Sequence, residues 1–262
     1  MNRQKQSKIN QLLASWPANT VATYPWFEGQ GISRQLLSAY KKSGWIRSVG
    51  QGAYARLNEK VDWMGGLYAI QEQLHLRIHA GGKTALQLKG YAHFLPMGKQ
   101  SQVFLFGSSA TKLPSWFQKY DWAARIEYAM TNLFSGTDAG LTKYEQDTFA
   151  ISISTPERAI MELLYLVTQK QSFEEAGQLM EGLTTLRPTL VSELLERCNS
   201  VKVKRLFLFL AEYYNHSWVS ELNVSKVDLG SGKRLVVKTG CFDKKYGITI
   251  PKSFCVEEGG SI

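Results

Sequence analysis

The most constraining feature of this chain is a short amphipathic helix bounded by Ser33 and Gly44. Ser33 is a good N-cap because its hydroxyl accepts hydrogen bonds from the free amides of a first turn, and Gly44 suits the left-handed position after a helix. Leu36, Leu37 and Tyr40 gather on one side. The opposite side carries Arg34, Ser38, Lys41 and Lys42. The spacing therefore predicts a helix that is apolar inward and cationic outward.

Two further helices and a hairpin are predicted around this helix. An apolar stripe over 9–16, ended by a proline, indicates a first helix, and a threonine cap followed by a proline indicates a short second helix over 24–28. Two strands, over 45–49 and 53–57, are predicted to flank a glycine-rich turn. Three helices followed by a hairpin is the winged helix-turn-helix order, in which the third helix enters the major groove.

Basic residues are concentrated at this end of the chain. The first 57 residues contain eight lysines and arginines against a single acid, Glu28, whereas the formal net charge of all 262 residues is only +9. A block of one sign attracts a partner of the other. A concentration of positive charge alone is equally typical of a solvated surface. Together with the helix pattern, the positive charge favours binding to duplex DNA, and a small helical domain that docks a protein is the alternative to DNA binding.

The chemistry of the side chains predicts their roles on DNA. Arginine forms bidentate hydrogen bonds with guanine, and glutamine with adenine, so residues at the start of the third helix are expected to read bases. These predicted base contacts are Ser33, Arg34 and Gln35. The predicted phosphate contacts are Lys41, Lys42, Arg47 and Arg56. The other predicted contacts, on the helix and the wing, are Ser38, Gln51 and Tyr54. Neutralising about five phosphates predicts a log–log salt slope of roughly −4.5.

The rest of the chain is predicted to form a larger mixed α/β domain, so that the fold class is α+β with a winged helix at 1–57 and a second domain at 58–262. Helix starts are expected after Asp62, Thr155 and Ser172, and further helices over 188–198 and 201–214. The predicted strands are 74–79, 102–106, 122–128, 149–154 and 247–250, with a hairpin of 226–229 and 233–238.

Neither a metal nor a cofactor is predicted. Alternation over 74–79 would place His75, Arg77 and His79 on one face, but no further ligand accompanies them, and a structural zinc normally takes four. The run Gly81-Gly82-Lys83-Thr84 is similar to a phosphate-binding loop, yet Arg77 stands where that motif has its first glycine. A helix entry is therefore expected there, with a weak anion site left open.

The chain shows no signature of catalysis, secretion or membrane insertion. No nucleophile with its base and no paired carboxylates are recognisable. Cys198, Cys241 and Cys255 lack the pattern of a disulfide framework and are expected to be reduced. The longest apolar run, 206–211, is far short of a spanning helix, and the amino terminus lacks an apolar core, so a cytoplasmic protein is expected.

A second basic surface is predicted in the larger domain. Its cations are Lys202, Lys204 and Arg205 at a helix start, and Lys233, Arg234, Lys244 and Lys245 in the tail. Cations at a helix start oppose the helix dipole, so stabilising the helix is not their expected role. A contact with nucleic acid or an acidic protein is the sharper hypothesis, and a solvated face is the alternative.

The whole chain resembles the AbiEi-type antitoxins of type IV toxin–antitoxin, or abortive infection, systems. The resemblance lies in ISRQLLSAYKKSGWI with the GQGAY wing, GGKTALQLKGYAHF, STPERAIMELL, SFEEAGQLMEGL, RPTLVSELLERCNSVKVKRLFLFLAE and LGSGKR with KYGITIPK. It implies a non-enzymatic bacterial repressor that binds inverted repeats in the promoter of its own operon. It also implies that the second domain counters a nucleotidyltransferase-type toxin, with which a stable complex is not required.

Two other functions remain open at this point. The chain would fit a stand-alone winged-helix regulator whose larger domain senses a ligand or a protein partner. It would also fit a nuclease tethered to nucleic acid by the winged helix. An adjacent nucleotidyltransferase gene would distinguish the toxin–antitoxin system from the stand-alone regulator. Metal-dependent cleavage of nucleic acid by the purified protein would indicate the nuclease.

Overall fold

The computed structural model describes residues 8–91, 101–134, 136 and 138–255. Contacts divide the chain into two compact units. The first holds the described residues among Met1–His79, Leu95–Met130 and Lys143–Ile153, and the second holds those among Ala80–Phe94, Thr131–Thr142 and Ser154–Ile262. The domain boundary predicted after residue 57 stays a prediction. In the structure, contacts group residues 58–79 with the amino-terminal module.

The amino-terminal module has the elements of a winged helix. They are α1 (Lys8–Ser15), β1 (Ala22–Thr23), α2 (Tyr24–Gly29), α3 (Arg34–Lys42), β2 (Ile46–Gly50) and β3 (Ala53–Arg56). The strands form an antiparallel sheet in the order β1-β3-β2. The predicted helices and hairpin are thus confirmed within about a residue at each end.

A small aromatic core holds α3 in place. Leu37 of α3 is buried together with Leu12, Trp16, Phe27 and Ile46, which come from α1, the α1–β1 segment, α2 and β2. The ring of Phe27 meets that of Trp16 edge-on at 5.4 Å. Because the apolar stripe of α3 is used in this core, its opposite face is left to solvent.

The remaining elements are a mixture of helices and strands. In chain order they are α4 (Trp63–Tyr68), β4 (Ile78–Ala80), α5 (Gly82–Leu88), β5 (Ser101–Gly107), α6 (Ser115–Lys119), β6 (Ala124–Met130), β7 (Leu141–Glu145), β8 (Ala150–Ser154), α7 (Pro156–Leu166), α8 (Phe173–Glu181), α9 (Pro188–Arg197), α10 (Val201–Tyr213), β9 (Arg234–Leu235), β10 (Cys241–Asp243) and β11 (Ile248–Ile250). A π-helical turn, Ala69–Gln73, continues α4, and short 3-10 turns span Ser217–Glu221 and Lys252–Phe254. The mixture of helices and sheets confirms the α+β class.

Five of the strands form one sheet in the order β6-β5-β4-β8-β7. The strand predicted over 74–79 is present only from Ile78, because His75 has a left-handed φ of 52° that interrupts the extended backbone. The alternation that grouped two histidines and an arginine on one face is therefore absent. His79 is buried and stacks against Phe106.

The carboxy-terminal strands form a separate small sheet, in the order β10-β11-β9. The hairpin predicted over 226–238 is wrong, since β9 pairs parallel to β11 and no strand forms over 226–229. Cys241 and Cys255 form a disulfide, which corrects the expectation that all three cysteines are reduced. Only Cys198 is a free thiol, and burial raises its pKa to about 11.

None of the helices in the described part of the chain is long and apolar enough to cross a bilayer.

Candidate nucleic-acid interface

The outer face of α3 is an exposed row of polar and cationic side chains. Its exposed members are Arg34, Gln35, Ser38, Lys41 and Lys42. Ser33 is also exposed, but its hydroxyl accepts the amide hydrogen of Leu36 at 3.2 Å and so caps the helix, as predicted. Among the described residues, Lys41 and Lys42 have no acidic side chain within ion-pair distance, so their charges are available to an external anion.

Tyr24 links the start of α3 to the wing, a role the sequence did not indicate. The guanidinium carbon of Arg34 lies 4.8 Å from the centre of the Tyr24 ring, a cation–π contact that orients the arginine. The amide of Tyr24 donates to the carbonyl of Gly52 at 2.8 Å. The exposed wing tip, Gln51, is therefore held near the same residue that supports Arg34. Only the position of Tyr24 beside the helix-starting proline could have drawn attention to it.

Arg47 does not lie free for a phosphate, contrary to the prediction. Its Nη1 donates to the hydroxyl of Tyr120 at 2.9 Å, and its Nη2 donates to the carbonyl of Glu59 at 3.3 Å. The same strand is covered at Gly50, where an added Cβ would lie 2.7 Å from the Cβ of Trp116. Because α6 and Tyr120 pack against β2, this side of the wing is turned into the protein.

Arg56 is likewise a structural cation rather than an exposed phosphate contact. Its Nη2 donates to the carbonyl oxygens of Leu13, at 2.7 Å, and of Trp16, and its Nη1 pairs with Glu59 at 3.0 Å. These bonds satisfy carbonyls at the end of α1 that have no partner within the helix. Tyr54, predicted on the wing surface, is half-buried, and its ring lies 5.7 Å from that of Phe27.

A cleft of about 750 Å³ lies beside the wing, within the first unit. Arg47 and Tyr120 form part of its wall, together with carboxylates of which Asp62 and Asp121 are two. Asp62 accepts the amides of Met64 and Gly65 and so caps α4, as its position in the sequence predicted. Asp121 accepts the amide of Ala123 at 2.9 Å. Most of the charge around the cleft is thus used in the fold.

The cations at the start of α10 are also used internally, which corrects their assignment to a second basic surface. Lys202 donates to the carbonyls of Tyr165 and Val167 at 3.1 and 3.3 Å, at the carboxy-terminal end of α7, and burial lowers the pKa of its ammonium. Lys204 and Arg205 are buried, 6% and 5% exposed. Lys204 donates to the carbonyl of Asp228, and Arg205 to four carbonyls between 229 and 247.

The tail cations, in contrast, are on the surface. Lys233, Arg234 and Lys244 are exposed, and so is Lys245, which pairs with Glu212 at 2.6 Å. Asp243 and Asp228 accept backbone amides of Tyr246 and Gly230. The structure thus separates the predicted second basic surface into a buried group on α10 and an exposed group around β9 and β10.

The glycine-rich entry to α5 is filled by protein carboxylates. The amide of Gly82 donates to Glu162 at 3.1 Å, and Lys83 pairs with Glu175. The amide and the ammonium that an anion would need are already engaged, so the weak anion site left open for this segment is not supported. No group of three His, Cys, Asp or Glu side chains in the described ranges is placed to hold a metal ion.

A buried ion pair stands behind this segment on α7. Glu162 is 1% exposed and accepts Arg158 Nε at 2.9 Å and Ser154 Oγ at 2.7 Å, in addition to the amide of Gly82. Arg158 also donates to the carbonyl of Ala139 at 2.8 Å. The network ties α5, α7 and the end of β8 together and has the character of a structural support.

Comparisons with known proteins cover nearly the whole chain. Residues 5–97 match a family model described as transcriptional regulator, AbiEi antitoxin N-terminal domain, and residues 100–251 match one described as transcriptional regulator, AbiEi antitoxin, type IV TA system. The fold is similar to that of the RV2827C protein from Mycobacterium tuberculosis, with a TM-score of 0.59 and 11% identity over 92% of this chain and 88% of that one. At this identity the likeness concerns the fold alone. Among curated protein sequences, none matches.

Proposed function

Because the chain belongs to the AbiEi antitoxin family of transcriptional regulators from type IV toxin–antitoxin systems, we propose that it represses its own operon. In this proposal the winged helix binds inverted repeats in the promoter, and the protein acts in the cytoplasm without a catalytic step. The second unit counters a nucleotidyltransferase-type toxin encoded beside it.

The outer face of α3 is the observation that carries the DNA-binding half. Its three cations, Arg34, Lys41 and Lys42, are exposed beside Gln35 and Ser38 on a helix whose other face is anchored in the aromatic core. A rigid helix with donors on one face is what readout in the major groove requires. Arg34 and Gln35 lie at its first two positions, where the recognition helix of such folds meets base edges.

Replacing Arg34 and Gln35 by alanine tests base readout. Each good bidentate contact contributes about 1–3 kcal/mol of discrimination, so the double variant should lose most of its preference for the promoter over random duplex. The measurement is a competition titration with both duplexes at one salt concentration. A variant that keeps the wild-type preference would show that these residues do not read bases.

Substitution of Ser43 by alanine is a matched control on the same helix. It shortens an exposed side chain at the carboxy-terminal cap of α3, outside the predicted DNA contacts, and leaves Arg34 and Gln35 unchanged. We expect the promoter preference to change less than for the double variant. Equal losses would point to a general disturbance of α3 rather than to base contacts.

Co-expression tests the antitoxin half. The full chain and the neighbouring nucleotidyltransferase gene are induced together, and growth is compared with that of the toxin gene alone. Rescue by the Arg34→Ala/Gln35→Ala variant would separate antitoxicity from DNA readout. No rescue by the wild-type chain would refute the antitoxin role while leaving the repressor role to the DNA titration.

A further inference from the structure

The carboxy-terminal sheet presents an apolar pair to solvent. Phe242 pairs in register with Thr249, and Thr249 with Leu235, so the three residues form a row across β10, β11 and β9. Ile248 and Ile250, the neighbours of Thr249, are buried on the opposite face, as alternation along a strand requires. Leu235 is 69% exposed and Phe242 is 40% exposed. We call this row the Leu235–Phe242 face.

Exposed cations lie close in the sequence to the two apolar residues of the Leu235–Phe242 face: Lys233, Arg234, Lys238 and Lys244. The ammonium of Lys233 lies 5.0 Å from the centre of the Phe242 ring. Asp228 and Asp243, the acids nearest to these cations in the sequence, each accept a hydrogen bond from a backbone amide and so stabilise turns. The small sheet therefore combines exposed apolar side chains with exposed neighbouring cations, a combination found where a protein surface docks a partner.

We propose that the Leu235–Phe242 face binds an acidic protein surface, with the two apolar side chains entering a recess and Lys233 and the neighbouring cations meeting carboxylates. The geometry favours a protein over a nucleic acid, because the ammonium of Lys233 lies 5.0 Å from the centre of the Phe242 ring and covers a face on which a base would stack. A leucine offers no stacking surface. A symmetric pairing of this face with itself would bring like charges together, so charge complementarity selects an acidic partner.

The proposal rests on the proposed antitoxin function only for its probe, the purified nucleotidyltransferase-type protein encoded beside the gene. Binding of the full chain to this protein is measured by calorimetry, and binding to a 20-nucleotide oligothymidylate is measured in parallel. Leu235→Asp and Phe242→Asp should each weaken binding to the protein by at least about tenfold, since both place a carboxylate against an acidic partner. Val224→Asp, at an apolar residue 45% exposed elsewhere in the second unit, is the matched control and should leave binding unchanged.

The outcomes separate this proposal from the proposed function. No binding by the wild-type chain, or equal binding by Leu235→Asp and wild type, overturns the docking face, whether or not co-expression rescues growth. If Leu235→Asp and Phe242→Asp weaken binding to oligothymidylate but not to the protein, the face is a nucleic-acid surface. That result would also overturn the proposal. Rescue by the wild-type chain without complex formation would leave the antitoxin function standing and remove only the interface.

Discussion

Replacement of Lys41 and Lys42 by alanine should lower the salt dependence of DNA binding in a calculable way. Each phosphate neutralised on duplex DNA adds about 0.9 to the slope of log K against log salt. Arg34 is assigned to base readout, so the exposed cations of α3 that are assigned to phosphates are Lys41 and Lys42. They contribute a slope of about −1.8, which the double variant should lose. Between 50 and 200 mM salt, the two lysines account for a loss of about 12-fold in affinity, which should disappear in the variant.

The assay is a fluorescence anisotropy titration of a promoter duplex at several salt concentrations. Other cations contribute equally to both proteins, so the difference of about 1.8 between the slopes is the quantity to test. The two lysines lie in the last turn of α3, where they favour the helix dipole, so the variant should lose no more than about 1 kcal/mol per lysine in stability. An unchanged slope would mean that this face of α3 does not meet the duplex.

Arg47→Gln is the control for this reasoning. It removes a charge from the same module, but the guanidinium is bound to Tyr120 and Glu59 in the structure. We expect the salt slope to stay within about 0.3 of the wild-type value. Unfolding in urea should show a loss of about 1.5–3 kcal/mol, the range for a hydrogen bond that involves a charged group. A fall in slope of about 0.9 would show that Arg47 contacts a phosphate after all.

Three further predictions concern the stability of the second unit. Glu162→Gln should lower the free energy of unfolding by about 3–5 kcal/mol, because it removes one charge of the buried ion pair between Arg158 and Glu162; a loss under about 1 kcal/mol in urea would contradict this. Reduction of the disulfide between Cys241 and Cys255, 14 residues apart, should cost about 3 kcal/mol, and identical melting with and without reductant would refute it. Burial raises the pKa of Glu157, but side-chain and backbone hydrogen bonds, those from Arg187 foremost, together outweigh burial and hold that pKa below its usual value. This stabilisation is present above the unfolded pKa of about 4.3 and is lost as pH falls through the pKa of the folded state. The free energy of unfolding of Glu157→Gln should therefore depend less on pH in the acid range than that of the wild type.

Local signals predicted the amino-terminal module well. The cap at Ser33, the apolar stripe of α3 and the glycine-rich turn after β2 each act through a few neighbouring residues, and all appear in the structure where expected. The starts of α8 and α9 were read from Ser172 and Pro188 in the same way. Such features are decided by backbone hydrogen bonds over one or two turns, which a sequence pattern contains.

Pairings between distant segments were not predictable in this way. The parallel pairing of β9 with β11 joins strands separated by a dozen residues, and the sequence pattern indicated an adjacent hairpin instead. The disulfide between Cys241 and Cys255 depends on the sheet bringing the two backbones to a Cα separation of 6.0 Å. Spacing alone does not indicate that distance.

The sequence by itself determined where the helices begin, which face of α3 is cationic, and that the chain resembles a family of DNA-binding antitoxins. Only the tertiary structure decided which cations are available to a partner. Arg47, Arg56, Lys204 and Arg205 look in the sequence like Lys41 and Lys42. In the structure, however, they donate to backbone carbonyls or to the hydroxyl of Tyr120 in distant segments. A long cationic side chain binds an external anion only if no internal acceptor lies within its reach, and that depends on packing between segments far apart in the chain.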